Sequence, residues 1–323
     1  NLSGGTDKGQ YLMSMNYYTQ DGTVIESYYD RYQIRANSSY NVRPWLRFGE
    51  NLTYSFSKSN GLDFTGEEDN IYSWTYRASP YVPVYDVAGN YAGSLLAGTG
   101  NFQNPVAIME RNKDNYSTTQ RILGSVYAEA DLYKGLTFKT QFGIDYRNDY
   151  SYGISKHNPE FSESGRQNSF SESNYFNYRW VWTNTLSYTK TFNDIHSLNV
   201  LLGTEAIRDG YGRTREGTRY NYLFEDNKNT YILDMGENNN QRTNSSSFNG
   251  EYALFGMFAR VDYGFKNKYL FTGILRRDGV SRFSESNRYG TFPSISLGWR
   301  LSEEAFMEQT RSWLDDMKLR VGY

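Results

Sequence analysis

KYLFTGILRRDGVSRFSESNRYGTFPSISLGWR, residues 268–300, is the stretch on which the reading of the whole chain turns. Two alternating runs flank a charged tip that holds Arg276, Arg277, Asp278, Arg282 and Arg288. Side chains of a strand point alternately to its two faces. Tyr269, Phe271, Gly273 and Leu275 therefore share one face, and Thr272, Arg276 and Asp278 share the other. After the tip, Ile295, Leu297, Trp299 and Leu301 oppose Ser294, Ser296, Gly298 and Arg300. Asp278-Gly279 reads as the start of the turn, with Asp278, Arg282 and Arg288 bracing the loop.

Working outward, the same period of two recurs in eleven segments between residues 10 and 321. Leu46, Phe48, Leu52, Tyr54 and Phe56 oppose Arg47, Gly49, Asn51, Thr53 and Ser55. Leu136, Phe138, Phe142, Ile144 and Tyr146 oppose Thr137, Lys139, Gln141 and Asp145. Glu50 is the one charge on an apolar face, which points either to a membrane interface or to a bulge. Alternation by itself also suits a soluble sandwich, so three further features decide.

Short links (41–45, 133–135, 192–196, 265–268) alternate with long ones (58–119, 148–178, 210–250), as the two rims of a membrane barrel require. The strands read as about ten to thirteen residues, enough for a tilted bilayer crossing of roughly nine to eleven. Aromatic residues, among them Tyr17, Tyr32, Tyr263, Tyr269 and Trp299, gather near the ends of the apolar rows, where interfacial girdles lie. The chain thus reads as an all-β, transmembrane, antiparallel up-and-down β-barrel with long extracellular loops. An odd number of strands predicts that residues 1–323 form a partial barrel domain, since single-chain bacterial barrels are even.

Composition agrees. The chain has 31 Tyr, 19 Phe and 6 Trp, yet a mean hydropathy of -0.76. Disorder depletes aromatics, and two-faced strands combine both properties. A net charge of -2 offers no field for nucleic acid. There is no cysteine, and His157 and His196 are the only histidines, so thiolate, His-rich metal and histidine-triad sites lack material. No G-x-S-x-G, H-E-x-x-H, Walker or EF-hand pattern occurs. No enzyme activity, cofactor or metal is expected. No apolar run approaches the roughly 18 residues of a membrane helix.

Candidate binding residues fall in loop 58–119, GEEDNIYSWTYRASPYVPVYDVAGNYAG. Glu67, Glu68 and Asp69 are placed to cap a short helix through Trp74 and Tyr76. Trp74, Arg77, Tyr81, Tyr85 and Tyr91 combine flat apolar faces with polar neighbours, which suits sugar rings or peptide side chains. The opposing reading is that these tyrosines pack the loop. The polar faces place Arg31, Arg35, Arg121, Glu129, Lys139, Arg179, Arg260, Arg276 and Arg300 along a lumen. There they line the channel, touch a plug, or pair with one another.

NLSGGTDKGQYLMSMNYYTQDG (1–22), RYQIRANSSYNVRPWLRFGENLTYSFS (31–57), YVPVYDVAGNY (81–91) and WLDDMKLRVGY (313–323) resemble barrel segments of SusC/RagA-type TonB-dependent transporters. RRDGVSRF, NRYGTFPS and GWRLSEE are the most specific of the matching motifs. The resemblance implies a barrel of about 22 strands in the outer membrane of Bacteroidota, filled by a plug. It also implies energy from a TonB-ExbB-ExbD complex, contacts with outer-membrane lipid and lipopolysaccharide, and a SusD-like surface lipoprotein as a lid. The implied cargo is an oligosaccharide or a peptide, taken up as a nutrient. A passive channel and a surface adhesin or assembly barrel are the competing functions.

Overall fold

The computed structural model describes residues 1–60, 70–163 and 167–323. Among them thirteen strands form one antiparallel sheet. They are β1 (Leu2–Thr6), β2 (Gly9–Asp21), β3 (Tyr28–Arg43), β4 (Leu46–Asn60), β5 (Tyr116–Tyr133), β6 (Leu136–Ser155), β7 (Ser169–Phe192), β8 (His196–Tyr220), β9 (Thr243–Phe248), β10 (Tyr252–Phe265), β11 (Tyr269–Val280), β12 (Tyr289–Arg300) and β13 (Lys318–Gly322). Helices α1 (Ile71–Arg77) and α2 (Pro105–Arg111) lie between β4 and β5. Each strand pairs with the next in sequence, except that β9 pairs only β8, which then pairs β10.

The expected count of eleven strands is therefore corrected to thirteen. Alternation does not reveal β1, because LSGGT has a single large apolar side chain. Nor does it reveal β9, because TNSSSF is polar on both faces. Twelve strands form the continuous path, an even number in place of the expected odd one. Its edges are open, since β1 and β13 do not pair with each other among the described residues.

Strands β5 to β8 run 18, 20, 24 and 25 residues, well beyond the predicted length. Their outer ends occupy much of 148–178 and 210–220, read above as loop. There the ladder continues while the apolar rows stop, because beyond the hydrocarbon both faces meet water. The tip of the quoted hairpin changes too. β11 continues through Asp278 and Gly279, which pairs with Tyr289, so the turn is residues 281–288.

The two rims differ as expected. Links of two or three residues join β1–β2, β3–β4, β5–β6, β7–β8 and β10–β11 at one rim. Two of them use left-handed pairs, Asn193-Asp194 and Lys266-Asn267, the geometry that matches the twist of a tight hairpin. Gly135 (φ 80) closes the β5–β6 turn with its Cα facing the carbonyl of Thr189; a Cβ there would sit 2.2 Å from that oxygen. The exception on this rim is 301–317 between β12 and β13, which contains two 3₁₀ turns.

No soluble-protein core runs along the sheet. The buried apolar residues among those described (Ile71, Trp74, Phe102, Ala107, Met109, Ile154, Phe161, Phe170, Tyr222 and Tyr231) all belong to the long connections or the outer strand ends. The outward apolar rows stand exposed instead, for example Leu202, Leu275 and Ile295 at about half exposure. A surface of this kind is stable against lipid and costly in water. Among the described residues no helix is long and apolar enough to cross a membrane.

At the short-turn rim an aromatic belt runs across the outward face. His196, Phe265, Tyr269 and Trp299 follow one another at centroid spacings of 5.2, 6.2 and 6.5 Å. Glu304, from the 301–317 connection, accepts from Tyr269 Oη at 2.7 Å and from Trp299 Nε1 at 3.1 Å. Lys268 Nζ lies 3.3 Å from its other oxygen. Glu50 also finds a partner. Its register with Ser38 and Val126 is regular, which rules out a bulge there. Ser38 Oγ donates to its carboxylate on the outward face, so this charge is not left bare.

Candidate functional site: lumen wall and extracellular loops

Cross-strand register brings all nine predicted lumen residues to one face, opposite the apolar rows. Six of them pair within the wall, and Arg300 pairs with the turn beside it. Arg47 donates to Glu129 at 2.5 Å and to Asp131 at 3.0 Å. Lys139 Nζ lies 4.0 Å from the other oxygen of Glu129 and 4.7 Å from the centre of the Tyr127 ring. Arg121 forms a fork of two bonds, 2.8 and 2.7 Å, with Asp145. Arg179 approaches Asp209 at 3.7 Å.

Further along the sheet, Arg260 grips Asp262 at 2.8 and 2.9 Å, and Thr272 Oγ1 donates to the same carboxylate. Arg276 bridges Asp278 and Glu205, each within 2.9 Å. Arg300 lies at the short-turn rim, 3.6 Å from Asp316. Planar guanidinium forks suit such carboxylate pairs. Of the nine, Arg31 and Arg35 are the two with no carboxylate partner among the described residues.

The quoted hairpin tip is held differently from the expectation. Asp278 is engaged by Arg276 within the wall and does not brace the loop. Arg282 donates to the carbonyl of Gly250 at 3.2 Å and lies 4.0 Å from the centre of the Tyr252 ring, so it ties its loop to the neighbouring one. Arg288 contributes its carbonyl, which accepts from the Val280 N–H. Arg277 stacks over Tyr289 at 4.9 Å on the outward side.

Beyond the opposite rim the long connections fold into two small cores. In the first, Asn70 caps α1 by accepting from the N–H groups of Tyr72 and Ser73, each at 2.9 Å. The acidic residues expected to serve there, Glu67, Glu68 and Asp69, lie outside the described residues. Asn104 caps α2 and also donates to the carbonyls of Val84 and Ala92, at 2.8 and 2.7 Å. One side chain thereby fastens a helix to both arms of a hairpin, residues 84–92. Tyr85 and Tyr91 pair across that hairpin with their rings 5.3 Å apart. At its tip the Asn90 N–H, with that of Ala88, holds the Asp86 carboxyl below the usual carboxylate range.

Arg111, in α2, lies over the Tyr91 ring at 5.1 Å and donates to both oxygens of Glu160, at 2.5 and 2.9 Å. Trp74 is 3% exposed and packs on Phe102 and Phe161. It therefore supports the loop and leaves the set of rings available to cargo. Arg77 lies over its ring at 4.5 Å. Tyr81 is 92% exposed and Tyr85 about half, so these two present their rings outward, while Tyr91 is partly covered by Arg111.

The second core joins the outer ends of β6 and β7 to 221–235. Ile154, Phe170, Tyr222 and Tyr231 pack together. Beside them Glu225 accepts from Asn168 Nδ2 at 2.8 Å and from the His157 N–H at 3.2 Å, with His157 Nδ1 at 2.7 Å. Burial favours the neutral acid, but the bonds from Asn168 and His157 prevail and hold Glu225 below its usual range. Burial pushes Tyr222 up to about 12. Arg111, Glu160, Asn104 and Glu225 were not among the predicted residues. Only Asn104-Pro105 carried a local signal, a cap followed by proline at the first helical position.

No family model matches the chain. Among curated proteins it is 30% identical over 327 residues to TonB-dependent receptor P39 of Formosa agariphila, a match covering all of this chain and 30% of that protein. It is 25% identical over 345 residues to TonB-dependent receptor SusC of Bacteroides thetaiotaomicron, covering all of this chain and 32% of the relative. Over its whole length the chain is thus similar to TonB-dependent receptors of the SusC type. Among solved structures, the RagAB peptide importer in its open-open state superposes with a TM-score of 0.84 at 23% identity, over 99% of this chain and 35% of that one. The open antiparallel sheet of this chain is thus part of a β-barrel of the outer-membrane type, and the chain spans about a third of the length of the curated relatives it matches. Its relatives are receptors and transporters rather than enzymes.

Proposed function

We propose that the chain forms part of an active importer of the outer membrane, energised through TonB and lidded by a SusD-like lipoprotein. The observation that carries this reading is the match of all of this chain to about a third of the length of TonB-dependent receptors, laid on a meander whose long connections, 301–317 aside, share one rim. In this reading residues 1–323 are one part of a larger barrel, and strands from elsewhere in the protein cover the edges at β1 and β13, because lipid cannot satisfy an open ladder. Cargo, an oligosaccharide or a peptide, is captured between the lid and the loops, with Tyr81 and Tyr85 offering exposed ring faces. A plug displaced from the periplasm opens a path along the polar wall. The paired charges of that wall hydrate the path and perform no bond chemistry.

The test is uptake in the native host, with candidate glycans and peptides, in wild-type cells and in cells lacking TonB. TonB-dependent accumulation is expected. Accumulation that persists unchanged without TonB replaces the importer with a passive channel.

A further inference from the structure

The lumen face of β1–β4 differs from the rest of the wall in its charge. By register its residues are Ser3, Gly5 and the alternate positions from Gln10 to Gln20, Tyr29 to Asn41, and Arg47 to Ser59. Those positions include Arg31, Arg35 and Arg47 and not one carboxylate. Arg47 borrows its two acids from β5. Elsewhere on the wall Arg121, Arg179, Arg260 and Arg276 have acids on their own or neighbouring strands, whereas Arg320, on the β13 edge, has none on its strand or the next.

Arg31 and Arg35 are left with neutral neighbours. Arg35 lies between Ser14 and Thr53, and Arg31 between Tyr18 and Ser57. The guanidinium of Arg31 sits 5.7 Å from the Tyr18 ring centre. Its Nε is buried and has no hydrogen-bond partner. An orphaned, charged donor of this kind costs free energy unless an acceptor reaches it. Arg35 lines a groove with Asn37, Asn51 and Thr53, able to donate or accept around an anion, and with Arg179 and Asp145, the latter already held by Arg121.

We infer that Arg31 and Arg35 form an anion-binding station on the lumen wall, one that takes a carboxylate or sulfate group not supplied by this chain's own strands. The two arginines are four residues apart on one face, a separation of about 13 Å. An acidic chain passing along the wall can therefore be handed from one to the other. This rests on the importer reading for its setting. The anion can come from acidic cargo or from a carboxylate of the receptor's plug, and the two sources have different consequences.

The experiment uses the purified full-length receptor, wild type and R31Q/R35Q, with an R31K/R35K control. Equilibrium binding is measured for two matched probe pairs: tri-galacturonate against its methyl ester, and a Glu-containing hexapeptide against its Gln counterpart. Acidic cargo as the source predicts a preference of about tenfold for an acidic probe, lost in R31Q/R35Q and largely kept in R31K/R35K. A plug carboxylate as the source predicts no probe preference. In that case R31Q/R35Q lowers the unfolding temperature and raises passive entry of a small antibiotic, and R31K/R35K restores both. The inference is overturned if R31Q/R35Q matches wild type in probe preference, unfolding temperature and leak. Binding and leak decide it whether or not TonB-dependent uptake is found, so the failure of either reading can be told apart.

Discussion

Glu160 keeps 6% of its side chain exposed and accepts both bonds of Arg111, whose guanidinium covers Tyr91. Removing one partner of such a pair leaves a buried charge without compensation, at a cost of about 3 kcal/mol or more. Glu160→Leu is expected to loosen the 70–115 connection while the barrel assembles normally. Limited proteolysis of intact cells reads this as new cleavage in that segment. Glu225 yields a pH prediction. Its folded-state pKa lies below the usual 4.5 because of Asn168 and His157. Its contribution is therefore complete above the unfolded value and is lost as pH falls through the lower, folded one. The hydrogen-exchange protection factors of residues 221–235, measured against the intrinsic rate at each pH, should fall as the pH drops below about 4.5, and a Glu225→Gln variant should flatten that dependence. At the exposed tip, Tyr81→Ala and Tyr85→Ala together are expected to weaken cargo capture about tenfold, the loss of roughly 1.4 kcal/mol of ring contact. Surface abundance should not change.

Among elements, β12 offers the cleanest trial of the two faces. Ile295 is on the outward row and Ser296, its neighbour, is on the lumen row opposite Thr272. Ile295→Lys should cost about 2–4 kcal/mol near mid-membrane, and Ser296→Lys far less. The heat-modifiable gel shift of the folded barrel measures the difference; equal losses for both substitutions contradict the assignment of faces. The alternation that identified these rows was legible because hydrocarbon and water impose opposite demands on adjacent residues. It faded where β6, β7 and β8 leave the membrane, so their outer ends read as loop. β9 was invisible for the same reason, having no apolar row at all.

For the whole molecule, the long loops gather at one rim and hold themselves together through small cores of their own. Deleting residues 79–96, the hairpin that carries Tyr81 and Tyr85, should leave assembly intact and abolish TonB-dependent uptake. Uptake that survives the deletion would move recognition to other loops or to the lid. The opposite rim holds the short turns, the aromatic belt and the Glu304 knot of 301–317, whose donors are Lys268, Tyr269 and Trp299. GWRLSEE stood out in the sequence, and its role is visible only here, where its glutamate links the belt to the turn.

By itself the sequence determined the fold class, the two faces of most strands and the presence of long connections at one rim, though not their bounds. These follow from a repeating local rule, one apolar and one polar neighbour, set by the solvent on each side. Only the tertiary structure decided which charges pair and which do not. Arg121 and Asp145 are 24 residues apart, and Arg276 and Glu205 are 71 apart. Such partners are chosen by register, which no single strand records. Trp74 and Tyr81 show the same limit among the aromatics. Both looked suited to cargo, and burial in a folded loop, a property of its whole set of contacts, separated the supporting ring from the exposed one.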